Sequence, residues 1–214
     1  FGSNSFSSKE SFIMKNSVML VAISLLASSA HSLADTVTAN EKKSENSVQE
    51  KVKEARLHAK ALGGALKSRL QQAIQSGGLE AGVNECQIAA APIALALSQN
   101  GWEVGRTALK VRNPNNAADQ WEREQLAWFS QLLTKAKQDN LAPKRPLETY
   151  QYDSESGKFR YMMAIEQGQV CMACHGANVA PSVKQSILKH YPNDQATGFE
   201  LGELRGAFTL SYTP

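Results

Sequence analysis

The chain has 214 residues, with 23 Lys and Arg against 20 Asp and Glu, a net charge of +3 at neutral pH. That near-balance speaks against a nucleic-acid or acidic-membrane partner, and an apolar share of 42% is that of an ordinary globular protein. The length accommodates one domain and a short extension.

Residues 1–13 are polar and contain no methionine. Met14 and Lys15 precede an apolar run from Val18 to Ala27, and Ser32-Leu33-Ala34 follows. A charged start, an apolar centre and a small-x-small triplet make a secretory signal peptide, with translation from Met14 and cleavage after Ala34. The run is shorter than the roughly 20 residues that span a bilayer. A periplasmic protein with no membrane span after cleavage is therefore expected. Residues 35–46 are polar and read as a flexible arm, which leaves residues 47–214 as the domain.

Ser47-Val48-Gln49-Glu50 has the form of a capping box and predicts a helix start. Val48, Val52, Ala55, Ala59, Leu62 and Leu66 then follow at spacings of three and four, a single apolar stripe ending near Gly77-Gly78. A second helix is expected over 79–99, its inward face Val83, Cys86, Ala90, Ile93 and Leu97, kinked where Pro92 removes a hydrogen bond to Ile88. Cys86 thus falls on the buried stripe. A strand over 102–111 with a break near Gly105, a helix over 118–137 and a hairpin with arms 147–153 and 158–166 come next. Pro181 opens a short helix and a last strand covers 203–212. The order predicts an α+β domain: a small antiparallel sheet with helices on one side and a long N-terminal helix.

The chemistry sits in Cys171-Met172-Ala173-Cys174-His175. Cys-x-x-Cys-His is the c-type haem attachment pattern: each thiol adds across one vinyl group, and the adjacent histidine ligates the iron. A structural zinc needs about four ligands, and no second pair of this kind exists in the chain. Gly176 follows where a side chain would crowd the porphyrin. On the residues alone the sixth ligand is open between Cys86, Met162, Met163, His58, His190 and none. Methionine is the habitual partner of histidine. Met163 alternates with core positions, Met162 points to the other face, His58 lies off the stripe, and His190 ends a short helix. Cys86 is the odd thiol of three in an exported chain, with no intramolecular partner left for a disulfide.

Five stretches in order resemble the PAS-like c-type haem domain family, long known only as a domain of unknown function. They are Asn84-Glu85-Cys86, Arg112-Asn113-Pro114-x-Asn116, the Cys-x-x-Cys-His-Gly of 171–176, Tyr191-Pro192-x-Asp194-x-Ala196-x-Gly198, and Gly202-Glu203-Leu204-Arg205-Gly206. The likeness covers 47–212. It implies a PAS-like antiparallel sheet flanked by helices, and one haem c bound through Cys171 and Cys174. It also implies iron held by His175 and by the thiolate of Cys86, with Arg112 and Asn113 near the haem, at a propionate.

An exported mono-haem cytochrome follows as the expectation. It transfers electrons at low potential or senses redox state, with a separate redox or signalling protein as partner. The alternative is a haem-based sensor of NO, CO or O2 acting through a separate partner. An enzyme such as a peroxidase needs an open distal position, and a fully ligated iron argues against it.

Overall fold

The computed structural model describes residues 28–214 except Lys144, with side chains described at 42 and from 44 onward. Met14 and the apolar run of the expected signal peptide lie outside the described residues. Contacts divide the chain into two units, 1–45 and 46–214. In the first, residues from Ser28 are helical. The arm expected over 35–46 is therefore helix, and Ser47 does not start one; no Gly or Pro interrupts 28–46. All that follows concerns the second unit.

The helical segment Ser28–Leu97 breaks at Gly77 (φ −149°, ψ 17°) and Gly78 (φ 75°, ψ −169°). A residue with Cβ would pay for the positive φ of Gly78, whereas glycine does not. Within this unit the two arms, 46–76 (α1) and 79–97 (α2), fold back on each other. Arg69 pairs with Glu85, and Gly82 lies against Leu70 and Ile74. Pro92 sits inside α2 without taking its torsions out of the helical range. The expected distortion beside Cys86 is absent; Ile88 and Pro92 are both exposed, which leaves the freed carbonyl open to solvent.

Four strands follow: β1 Trp102–Thr107, β2 Glu148–Tyr152, β3 Phe159–Glu166 and β4 Leu204–Tyr212. They form one antiparallel sheet in the order β1-β4-β3-β2. Gly105 stays paired with Thr209, so β1 has no break there; it stops at Thr107 instead. The helix Gln120–Gln138 (α3) opens on a capping box. Asp119 accepts from the backbone N–H of Glu122, and Glu122 accepts from that of Asp119. Two short helices, Met172–His175 (α4) and Pro181–His190 (α5), lie between β3 and β4.

Strand periodicity decides what covers the sheet. On β3, Phe159 and Tyr161 face one way and pack with Trp102, Val104 and Leu210 beneath the stripe Val48, Val52, Ala55, Ala59 and Leu62 of α1. Met162 faces the other way and packs with Ala207 against Leu126, Phe129 and Leu133 of α3. The sheet is therefore sandwiched, with α1 and α2 on one face and α3 on the other. The sequence pattern suggested helices on one side only, because it showed the alternation in β3 but not that Met162 belongs to a second core. At the sheet edge Arg56 of α1 makes a two-pronged ion pair with Glu148, one contact being Nε to Oε2 at 2.9 Å. The Tyr161 hydroxyl donates to the same carboxylate at 2.5 Å. These contacts fix the register of α1 over the hairpin β2–β3.

Candidate haem site

Cys171 ends a 3-10 turn, Gln169–Cys171, and the next residues wind into α4. Cys171, Cys174 and His175 are all half-buried, and all three cysteines of the chain are free thiols. Gly176 closes α4 by donating its N–H to the Met172 carbonyl at 2.9 Å. A Cβ there would stand 2.6 Å from that same oxygen. The closure of α4 itself thus demands the glycine.

His175 is held at both ring nitrogens. Nδ1 lies 2.7 Å from the Ala196 carbonyl oxygen, a distance that two lone pairs would not tolerate, so we assign the proton to Nδ1. Nε2 then carries the lone pair, and the nearest group to it is Arg112 Nη1 at 3.5 Å. Burial, then the positive charges of Arg205 and Arg112, hold the imidazole well below its ordinary pKa and so neutral. A neutral imidazole oriented by a backbone carbonyl is the form that ligates a metal.

Arg112 organises the surroundings. It forms a fork with Asp194, Nε to Oδ1 at 3.0 Å and Nη2 to Oδ2 at 3.1 Å, and donates to the Cys174 carbonyl at 2.7 Å. Both partners are buried, at 11% and 4% exposure. Its charge is thus paired with Asp194. Asn113 caps the 3-10 turn Pro114–Asn116 by accepting from the Asn115 N–H at 3.0 Å, a local role.

Cys86 departs from its expected burial. Its side chain is exposed, while Val83 and Ala89 on the same arm are buried. The stripe is real, but the part at Cys86 opens onto a polar cleft instead of the core. Arg106, Arg112 and Cys171 are within electrostatic reach of the thiol. Burial by the cleft walls pushes the thiol pKa up, opposed by Arg106 and Arg112. Cys174 behaves alike: burial raises it and Arg112 opposes. Cys174 also packs with Val83, Val183 and Ile187, which draws α2 and α5 onto the motif.

Sequence reasoning missed Arg106. It lies on β1, its pKa is lowered by burial, and the titratable groups within its electrostatic reach are the Cys86 thiol and the Tyr191 phenol rather than a carboxylate. No sequence signal marks it, because a lone arginine in a strand reads as a solvated face. Asp194, Ala196 and Arg205 appeared in the family's motifs without roles; here they hold Arg112 and His175. The other ligand candidates fall elsewhere. His58 packs near the Trp102 ring with centroids 5.4 Å apart, Met162 and Met163 belong to the two cores, and His190 ends α5.

The residues present fit a c-type haem. Two free thiols and a neutral, oriented imidazole lie on five consecutive positions, and a third thiol is within electrostatic reach of the first two. Arginines 106, 112 and 205 supply cationic surroundings for a dianionic porphyrin, with Asp194 as the counter-charge beside Arg112 and Arg205. Among the described residues, no group of three His, Cys, Asp or Glu side chains is placed to hold a bare metal ion. Nor, among them, is any helix long and apolar enough to cross a membrane.

A family model described as Tll0287-like matches residues 22–213. The chain is also similar to the crystal structure of the cyanobacterial haem protein Tll0287. The identity is 24% and the TM-score 0.50, over 78% of this chain and 95% of that one. At that identity the likeness is one of fold. No curated protein matches the chain.

Proposed function

The chain belongs to the Tll0287-like family, and on that premise we propose that it is an exported protein carrying one covalent haem c. Cys171 and Cys174 would form the thioethers, each S–H adding across a vinyl group so that sulfur bonds carbon and the hydrogen goes to the other vinyl carbon. His175 Nε2 would ligate the iron on one side and Cys86, as thiolate, on the other. The observation that carries the reading is His175: neutral, fixed through Nδ1 to Ala196, with the Nε2 lone pair met only by a long contact from Arg112 Nη1 at 3.5 Å, beside two thiols at attachment spacing.

When bound, the haem supplies one-electron exchange at iron. The protein's own groups set its tendency. An anionic sulfur ligand favours ferric iron; Arg106 and Arg112 within reach of Cys86 offset part of the burial that raises its thiol pKa. The reading is thus low-potential electron transfer or redox sensing in the bacterial cell envelope, with a separate redox or signalling partner.

A second reading rests on the openness of Cys86. A ligand on an exposed helix arm, not clamped in the core, is displaceable on reduction, and NO, CO or O2 would then take its place. Carbon monoxide binding to the reduced protein favours this reading; unchanged six-coordinate spectra in both oxidation states favour electron transfer.

The test is an alkaline pyridine spectrum and a haem-stained denaturing gel, followed by absorption and paramagnetic-resonance spectra of wild type beside Cys86→Ala. Haem that survives denaturation, and ferric spectra altered in Cys86→Ala, are the expected results. A ferric spectrum unchanged in Cys86→Ala sinks the thiolate ligand. A gel without stained protein sinks covalent attachment.

A further inference from the structure

We propose that a cavity behind His175 is a second binding site, for a small organic carboxylate. The cavity has a volume of about 500 Å³ and lies between α3, the Leu109–Lys110 segment after β1, and the start of β4 with its preceding loop. None of Cys86, Cys171 or Cys174 lines it. Its size is that of small-molecule sites generally, roughly 300–1,000 Å³.

The lining decides the ligand class. Leu126 and Leu133 of α3, with Phe199 and Leu204 opposite, give apolar walls. Inorganic anions keep their hydration shells and gain little from such walls; an anion with a hydrocarbon body gains from both. The charged groups are mostly cationic. Lys137 is paired with Glu200 at 2.8 Å, and the Glu203 carboxylate accepts from the Glu200 N–H at 2.7 Å. Among the described residues Lys110 and Arg205 form no ion pair with a carboxylate, Asp194 lying within electrostatic reach of Arg205 but bonded to Arg112. The Lys110 ammonium donates only to the Thr197 carbonyl, 4.4 Å from the Phe199 ring centroid, and the Arg205 guanidinium lies 5.3 Å from the same ring. Two cations thus flank one aromatic wall.

Arg205 is the stronger argument. Its Nε–H is aimed at His175 Nδ1 at 3.2 Å, but that nitrogen already holds a proton for Ala196, so the contact sets donor against donor. Its other contact is Nη1 to the Lys110 carbonyl at 3.4 Å, a long one. A carboxylate would accept the fork of N–H groups that the protein leaves unmatched.

The site is coupled to the iron, and this part rests on the haem reading. A carboxylate on Arg205 adds negative charge next to the proximal imidazole and relieves the contact at Nδ1. Both favour ferric iron. By the thermodynamic cycle, binding about tenfold tighter to the ferric than to the ferrous protein lowers the reduction potential by about 59 mV.

The experiment titrates the purified full chain with hexanoate and benzoate, and with hexanamide and benzamide as neutral matches, by calorimetry. The acids are expected to bind with Kd near or below about 1 mM, at least about tenfold more tightly than the amides. Arg205→Gln should abolish the difference between acid and amide. Ser130→Phe, which fills the cavity from a half-buried position on α3, should abolish binding without touching Arg205. The proposal is overturned if neither acid binds at up to about 10 mM, if amides bind as well as acids, or if Ser130→Phe binds normally. Calorimetry reads the site whether or not haem is present, so its failure is distinct from a failure of the haem reading. A potential that does not move while the acid binds removes the coupling alone.

Discussion

Asp194 Oδ1 accepts from Arg112 Nε and from the Ala196 backbone N–H, each at 3.0 Å. One carboxylate oxygen therefore positions both the arginine beside His175 Nε2 and the residue whose carbonyl holds His175 Nδ1. Removing one partner of a buried ion pair leaves the other charge uncompensated, at a cost of about 3–5 kcal/mol. Asp194→Asn should lower the urea midpoint accordingly. The double variant Arg112→Met/Asp194→Leu should recover part of the loss. Equal losses in the single and double variants would show that the pair is not coupled.

Glu148 gives the fold an acid limit. Burial pushes its carboxyl up, but hydrogen bonds from Arg56 and Tyr161 outweigh this and hold it below its ordinary 4.5. A depressed carboxyl stabilises the folded state above the unfolded-state pKa, and that stability is lost as pH falls through the folded value. Thermal midpoints between about pH 5 and pH 3 should fall more steeply in wild type than in Glu148→Gln. Parallel pH profiles would place the acid sensitivity elsewhere.

Gly176→Ala should hinder closure of α4, since its Cβ would stand 2.6 Å from the Met172 carbonyl oxygen. Overpacking of this kind costs about 1–3 kcal/mol. The expected outcome is a lower melting temperature and less haem retained per chain, read on the same stained gel. A variant with wild-type melting would mean that the turn relaxes around the methyl group.

Cys171→Ser/Cys174→Ser should leave any haem extractable with acidified ketone, because no sulfur remains to bond the vinyl carbons. His175→Ala in the intact Cys-x-x-Cys frame should keep the haem on the chain but shift its absorption. The two variants separate attachment from ligation.

Much of the fold is readable from periodicity. The alternation Phe159, Tyr161 against Met162 gives β3, the stripe from Val48 to Leu62 gives α1, and Gly77-Gly78 marks where the helix reverses. What periodicity does not carry is the environment on each side of an element. Cys86 sits at the right angle on α2 to be buried, yet Arg106, Arg112 and Tyr191 occupy the space opposite, and they come from distant parts of the chain. Only folding reveals that cleft. The Cys-x-x-Cys-His pattern was legible because its residues are contiguous. Asp194, Ala196 and Arg205 act through long-range contacts and announce nothing locally.

The reversal at Gly77-Gly78 has a consequence for assembly. On the proposed reading, attachment to Cys171 and Cys174 would need only a short, locally ordered peptide and could precede folding. Delivery of Cys86 as a ligand would need the α1–α2 hairpin closed and seated on the sheet. A chain that has received its haem but not yet docked the hairpin would hold iron through His175 alone, with the opposite coordination position open. Completion of the sixth bond would then report native packing, and the colour of the protein would be its folding clock.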